Sequence, residues 1–208
     1  MKLSKNFKDS QSVFVHIPKA AGNSLAIGLY GLSFGHHTAY DYYINNKKEW
    51  EKVFSFTVVR NPLDRFLSTY NFLKIGGISK FDKRFSQKHR LKTINVNTFI
   101  DKFFNNIRFK IYKPYIHFIP QNQFIIHKKY KYSLITKVYK FESLEDSYKN
   151  IVRDIRLINP KFIPLHDDLP KINKTKIVFS EKTSIDEISN ENIMRIKNYY
   201  HEDYQMFG

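Results

Sequence analysis

Residues 12–32 read SVFVHIPKAAGNSLAIGLYGL and divide into a strand, a tight connection and a helix. Ser12–Ile17 is apolar and rich in Val and Ile, which is typical of a buried strand. Pro18–Gly22 is a tight connection, because proline fixes φ and glycine permits close backbone approach. Asn23–Leu32 begins with an Asn-Ser pair followed by spaced apolar residues, so it is predicted to be a capped helix.

A strand, a small-residue loop and a helix start together form a geometry that binds phosphate. The first N–H groups of the helix point at the anion, and Lys19 adds a full positive charge within the loop. The spacing differs from the Walker A motif, since Lys19 lies three residues before Gly22 and Ser24 follows Asn23. A standard ATPase or GTPase is therefore a poor fit, and an ordinary strand-to-helix turn with a surface lysine is the alternative.

The pattern recurs further along the chain. Val53–Val59 is strongly β-like, and Arg60 follows it directly. Asn61 is a suitable cap for a helix over Pro62–Lys74, because proline is favoured in the first helical turn. This places Arg60 at the end of a strand and Ser68 about two turns into the next helix.

Other segments complete the predicted organisation. Ser133–Phe141 is a third strand, and residues 75–97, rich in Gly, Lys, Ser and Asn, are predicted to be a long loop or insertion. Strands that alternate with helices predict a parallel sheet flanked by helices, in a single α/β domain over residues 1–208. The ligand is expected at the carboxyl ends of the strands.

Composition narrows the function classes. The 208 residues include no cysteine, which excludes disulfides and thiolate zinc sites. The polar start MKLSKNFKDSQ does not have the pattern of a secretory signal, and no run of 18 apolar residues predicts a membrane span. A cytoplasmic protein is therefore expected.

The net charge of +16 would attract a nucleotide, an acidic glycan, nucleic acid or anionic lipid. The basic residues are scattered, however, so compositional drift explains most of this charge. No nucleic-acid-binding motif is present, and nucleic acid is not an expected partner.

His36 and His37 follow Gly35 in a predicted loop after the first helix. Histidine is the side chain best suited to take up a proton near neutral pH. By itself the pair is more typical of exposed loop histidines than of a catalytic base.

Two motifs resemble those of PAPS-dependent sulfotransferases of family 2, which includes carbohydrate sulfotransferases (PAPS is 3′-phosphoadenosine 5′-phosphosulfate). The order H-I-P-K-x-x-G-x-S-L around Lys19 resembles their 5′-phosphosulfate loop, with Ala20-Ala21 where the family usually has Thr-Gly or Gly-Gly. The segment from Arg60 to Tyr70 matches the 3′-phosphate signature R-N-P-x-x-R-x-x-S-x-Y at every fixed position. The resemblance implies a P-loop-type fold. Because no membrane anchor is predicted from the sequence, the resemblance also implies a bacterial enzyme or an excised catalytic domain.

The resemblance further implies sulfuryl transfer from PAPS to an acceptor hydroxyl, on a glycan, without a metal. The products are the sulfated acceptor and 3′,5′-bisphosphoadenosine. His36, in the family's G-H and H-x-T-A contexts, is the implied base, with His37 as the alternative, and Lys19 is the second catalytic residue. The implied donor-binding residues are Lys19, Ala21, Gly22, Asn23, Ser24, Leu25, Arg60, Ser68, Lys174 and Thr175. A degenerate relative that binds PAPS without transfer and a P-loop nucleotide kinase are the alternatives.

Overall fold

A three-stranded parallel sheet is the centre of the α/β architecture. The computed structural model describes residues 2–105, 115–172 and 182–208. In these residues the strands are β1 (Ser12–Phe14), β2 (Phe54–Val59) and β3 (Lys137–Lys140), with β2 in the middle. Ser12 pairs with Phe54, and Phe56 pairs with Lys137. All six residues of β2 are buried, as expected for the central strand of a covered parallel sheet.

Helices connect and follow the strands. The α-helices of the described residues are α1 (Lys5–Ser10), α2 (Gly22–Tyr30), α3 (Ala39–Tyr43), α4 (Lys47–Trp50), α5 (Pro62–Lys74), α6 (Lys80–Lys88), α7 (Val96–Asn105), α8 (Asn122–Ile125), α9 (Leu144–Ile158), α10 (Asn190–Tyr199) and α11 (His201–Phe207). Short 3₁₀ helices cover Ile116–Phe118 and Ile185–Glu187.

The described residues form two compact units. The first comprises residues 1–60 and 121–174 and contains the whole sheet. Helix α1 packs against β1, while α9 packs against β2 and β3 through an apolar face that includes Tyr148, Ile151 and Ile155. The prediction of a parallel sheet flanked by helices is therefore confirmed.

The second unit comprises residues 61–120 and 175–208 and is helical in its described part. Its core is built around α5, of which ten of thirteen residues are buried, and it includes Phe66, Phe99, Phe118 and Tyr200. Asn61 caps α5 as predicted, since its Oδ1 accepts from the N–H groups of Leu63 and Asp64 (3.0 and 3.3 Å).

Several sequence predictions of local structure are wrong. Residues 75–97 are not a continuous loop, because they contain α6, whose first turn is held by a reciprocal Ser79–Asp82 capping box. Ser143, with Asp146 three residues later, has a pattern typical of a capping box, but it precedes α9 without a side-chain cap. The sequence of residues 189–207 also predicts one helix, but the structure has two helices there, which meet at Tyr200.

Candidate active site

The loop between β1 and α2 has an unusual backbone. Lys19 and Ala21 both have left-handed φ angles, +67° and +60°, although neither is glycine. Such conformations cost about 1–2 kcal/mol per residue, and in other proteins they can turn successive N–H groups toward one anion. Ala21 is also the N-cap of α2 and provides no side-chain cap, so the helix start presents its N–H groups and positive dipole end at this loop.

Gly22 is required here by the close approach of His16. A Cβ at Gly22 would lie 1.8 Å from Cδ2 and 2.0 Å from Nε2 of the buried His16 ring. Nδ1 of His16 donates to the carbonyl oxygen of Phe34 (2.9 Å), which fixes the orientation of the ring. His16 therefore holds the start of α2 against the segment that leads to His36.

Polar groups at the start of α2 form hydrogen bonds with other groups of the first unit. Ser24 Oγ donates to the carbonyl oxygen of Ile172 (3.1 Å), and the N–H of Leu25 donates to the carbonyl oxygen of Ala21 (3.2 Å). Oδ1 of Asn23 accepts from a nearby serine hydroxyl (2.8 Å). A ligand would therefore compete with these bonds for the Ser24 hydroxyl and the Leu25 N–H.

His36 lies beside this loop. Its Nδ1 is 3.2 Å from the carbonyl oxygen of His16, and the two imidazole rings meet edge to face with centroids 4.3 Å apart. A carbonyl oxygen can only accept, so Nδ1 carries the hydrogen and Nε2 of neutral His36 has the lone pair. In neutral, half-buried His36, Nε2 is thus the nitrogen that can accept a proton.

His37 has different surroundings. Its ring packs edge to face against the buried Tyr42, with centroids 5.9 Å apart. Its backbone N–H donates to the carbonyl oxygen of Gly35 (3.1 Å). The structure therefore associates His36, rather than His37, with the backbone of His16, just before the Lys19 loop.

Arg60 follows β2 at the same edge of the sheet as the Lys19 loop, because the carboxyl ends of parallel strands share one edge. The side chain of the fully buried Gln121 bonds both backbone groups of Arg60: Oε1 accepts from its N–H (2.9 Å) and Nε2 donates to its carbonyl (2.8 Å). The Arg60 guanidinium stacks on Phe141, just beyond β3, with Cζ 4.3 Å from the ring centroid.

The remaining predicted residues belong to the second unit or fall outside the described residues. Ser68 is half-buried on α5, in the second unit. Arg65, on the same helix, is fully buried and donates to the carbonyl oxygens of His117 and Ile119 (3.1 and 2.6 Å), so its role is structural. The predicted contacts Lys174 and Thr175 fall outside the described residues.

Metal and membrane features were also sought. Across residues 2–105, 115–172 and 182–208, no group of three or more His, Asp or Glu side chains is arranged to hold a metal ion. None of the helices in these same ranges combines the length and apolar character needed to cross a bilayer.

Comparison with known families decides the broader assignment. A family model described as the sulfotransferase family matches residues 7–208. The chain belongs to the sulfotransferase family. No curated protein and no solved structure was found to match it. Membership of this family identifies the protein as an enzyme that transfers sulfuryl groups. It also confirms the resemblance that was first seen in the Lys19 and Arg60 motifs.

Three residues with structural roles at this sulfotransferase's candidate site were not predicted as site residues. His16 supports both Gly22 and His36, Gln121 fixes the backbone of Arg60, and Phe141 supports its guanidinium. The position of His16 directly before the Lys19 loop was the only sequence signal for its role. The partners of Arg60 lie some 60 to 80 residues away in sequence, and no local pattern indicates them.

Proposed function

We propose that this sulfotransferase transfers the sulfuryl group of PAPS to a hydroxyl group of a glycan. The observation that supports the proposal is the bond between His36 and the His16 carbonyl, because neutral His36 then carries its lone pair on Nε2, close to the start of the loop that contains Lys19 and Ala21. Sulfuryl transfer needs both parts, because one group accepts the hydroxyl proton while another stabilises the leaving phosphate.

The Lys19 loop fits the 5′-phosphosulfate end of PAPS. Its left-handed residues and the uncapped start of α2 supply backbone donors, and Lys19 supplies a formal positive charge. Donors at Ala21, Gly22 and Asn23 are the natural contacts. Ser24 and Leu25 would join them by exchanging their internal bonds for bonds to the ligand.

Arg60 suits the 3′-phosphate. Its backbone is fixed by Gln121 and its guanidinium is stacked on Phe141, so little side-chain freedom is lost on binding. The family signature adds Ser68 as a second hydrogen-bond donor, and the wider resemblance to the family adds Lys174 and Thr175.

The reaction then follows from these roles. Nε2 of His36 takes the proton of the acceptor hydroxyl while the acceptor oxygen forms a bond to sulfur. The bond between sulfur and the bridging oxygen breaks, and 3′,5′-bisphosphoadenosine leaves with its new negative charge beside Lys19. In-line transfer of this kind resembles phosphoryl transfer, in which the protein contributes positioning and charge stabilisation.

Transfer from ³⁵S-labelled PAPS to a panel of oligosaccharides, in EDTA, tests this function. The proposal predicts a labelled sulfate ester formed in equal amount to 3′,5′-bisphosphoadenosine. Bound PAPS without turnover would indicate a degenerate relative, and nucleotide release without an ester would show transfer to water rather than to a glycan. Phosphate transfer from ATP in a parallel reaction with Mg²⁺ would indicate a kinase.

A further inference from the structure

A hairpin of the first unit carries three lysines and two tyrosines on its surface. Residues 127–132, the basic hairpin, read HKKYKY and lie just before β3. All of them except His127 are exposed, and Tyr130 and Tyr132 are 63% and 49% exposed. Aromatic side chains that are grouped on an exposed surface mark interaction sites more often than scattered ones do.

Hydrogen bonds fix the turn of the basic hairpin. An antiparallel bridge closes its base, and the N–H of Lys131 donates to the carbonyl oxygen of His127 (2.9 Å). Nδ1 of the buried His127 accepts from the N–H groups of Lys129 and Tyr130 (3.2 and 3.3 Å). Lys131 has φ +60°, in the left-handed region that favours glycine. The turn is therefore formed in advance, and little backbone ordering is needed when a partner binds.

Lysines and tyrosines are paired around this turn. Three lysines place Nζ over a tyrosine ring, at 4.8, 5.1 and 5.9 Å from the centroid, namely Lys128 over Tyr40, Lys129 over Tyr130 and Lys47 over Tyr43. The ring of His127 joins four tyrosines at centroid distances of 4.9–5.8 Å, namely Tyr40, Tyr43, Tyr130 and Tyr132. The basic hairpin therefore forms one continuous surface with Tyr40, Tyr43 and Lys47, which we call the hairpin patch.

The hairpin patch has more positive charge than its own ion pairs neutralise. Lys128 pairs with Asp41, with Nζ 3.4 Å from Oδ1. Among the residues that the structure describes, Lys47, Lys129 and Lys131 take part in no ion pair. Several like charges on one small surface raise the local concentration of anions. The charge of the patch is therefore complementary to an anionic partner.

We propose that the hairpin patch docks the protein on a surface of anionic phospholipid. Tyrosine and lysine side by side suit the headgroup layer, where the ring lies at the boundary of the acyl chains and the ammonium group meets lipid anions.

Single-stranded nucleic acid is a poorer match, because bases stack on open ring faces. One face of Tyr130 is covered by Lys129, and His127 stacks on Tyr132 with centroids 5.2 Å apart. The patch shares no residue with the candidate active site, so lipid docking is independent of the proposed transfer reaction.

Co-sedimentation with vesicles at about 0.1 M salt tests the proposal. The protein should sediment with vesicles of phosphatidylcholine and phosphatidylserine (about 7:3) and stay in solution with pure phosphatidylcholine. Lys129→Gln/Lys131→Gln should lower the partition coefficient about 25-fold, at about 5-fold per lysine near an anionic surface. Tyr130→Ser keeps the charge and should weaken binding several-fold, whereas Tyr130→Phe should bind like wild type. These side chains are exposed, so the variants should fold normally.

The matched control is Lys140→Gln/Lys149→Gln, which removes two exposed lysines of the same unit. Lys140 ends β3 and its carbonyl oxygen accepts from Ser147 Oγ (2.8 Å), so the control lies at the carboxyl end of β3, whereas the basic hairpin precedes the amino end. The control should change the partition coefficient by less than about 2-fold, because distant exposed charges are screened by salt.

Three results would overturn the proposal: no sedimentation with the anionic vesicles, equal weakening by the two lysine variants, or full binding by Tyr130→Ser. Release of the protein from the vesicles by hexathymidylate at equal phosphate concentration would also overturn it, because nucleic acid would then be the preferred partner.

Discussion

Replacement of Gly22 by alanine tests the coupling between the loop and His16. The new Cβ would lie 1.8 Å from Cδ2 and 2.0 Å from Nε2 of His16, so the imidazole must move. Position 22 is otherwise suited to alanine, because it is helical and alanine is favoured over glycine in helices by about 0.5–1 kcal/mol. Any loss of stability must therefore come from the clash with the His16 ring.

The expected change in the free energy of unfolding combines two costs and one gain. Overpacking costs about 1–3 kcal/mol, and loss of the bond from His16 to Phe34 costs about 1 kcal/mol. After the gain in helix propensity, Gly22→Ala should lower the free energy of unfolding by about 1–3 kcal/mol. Sulfuryl transfer should slow as well, because His36 is anchored on the backbone of His16.

Urea unfolding of a double-mutant cycle is the assay. In His16→Ala/Gly22→Ala the clash is absent, so this variant should be no less stable than His16→Ala, with a coupling energy of about 1–3 kcal/mol. Gly28→Ala is the matched control in the same helix, since its Cβ would lie 2.9 Å from Pro170 and its cost should not depend on His16. Additive losses in the cycle, or wild-type stability of Gly22→Ala, would refute the reasoning.

Three further predictions concern single residues. His36→Ala should lower turnover roughly 10²–10⁴-fold in the labelled-PAPS assay, with little change in nucleotide affinity. His37→Ala should retain most of the activity. The reverse pattern would make His37 the base. In calorimetry, Arg60→Ala should weaken 3′,5′-bisphosphoadenosine far more than 5′-AMP, and equal weakening would show that Arg60 does not read the 3′-phosphate. Burial alone would raise the pKa of Asp82, but hydrogen bonds from His117 and other donors outweigh it and hold the pKa below its usual range. Asp82 therefore stabilises the fold above about pH 4, and Asp82→Asn should cost about 2 kcal/mol at pH 7. That difference from wild type should shrink as urea unfolding is repeated below pH 4, and a constant difference would contradict the assignment.

Local signals were enough to predict the framework of the fold. The apolar run of β2 and the Asn61-Pro62 start of α5 depend on neighbouring residues only, and both are where the sequence places them. The same holds for the helix after the Lys19 loop, which begins one residue earlier than predicted. Helices and strands that depend only on neighbouring residues can be predicted from a single sequence.

Elements that depend on distant partners could not be predicted. Helix α6 was interpreted as loop because Gly76 and Gly77 precede it and its composition is polar, yet Asp82 joins it to His117, 35 residues away. Ser24 is bonded to Ile172, 148 residues away. Such tertiary contacts override local propensity and leave no local pattern in the sequence.

In the candidate site, too, some features depend on local sequence and others depend on distant partners. Motif spacing alone placed Lys19 in a loop at a helix start and Arg60 at a strand end. The tautomer of His36, in contrast, depends on a carbonyl group twenty residues earlier in the chain. The roles of Lys19, Arg60 and Ser68 toward a donor remain predictions.

Calorimetric titration with 3′,5′-bisphosphoadenosine, 5′-AMP and ATP, without added metal, tests the proposed donor most directly. The account predicts that the bisphosphate binds at least about 10-fold more tightly than 5′-AMP, because Arg60 adds a charge-assisted bond to the 3′-phosphate. Equal affinity for the bisphosphate and 5′-AMP, or tighter binding of ATP, would contradict it.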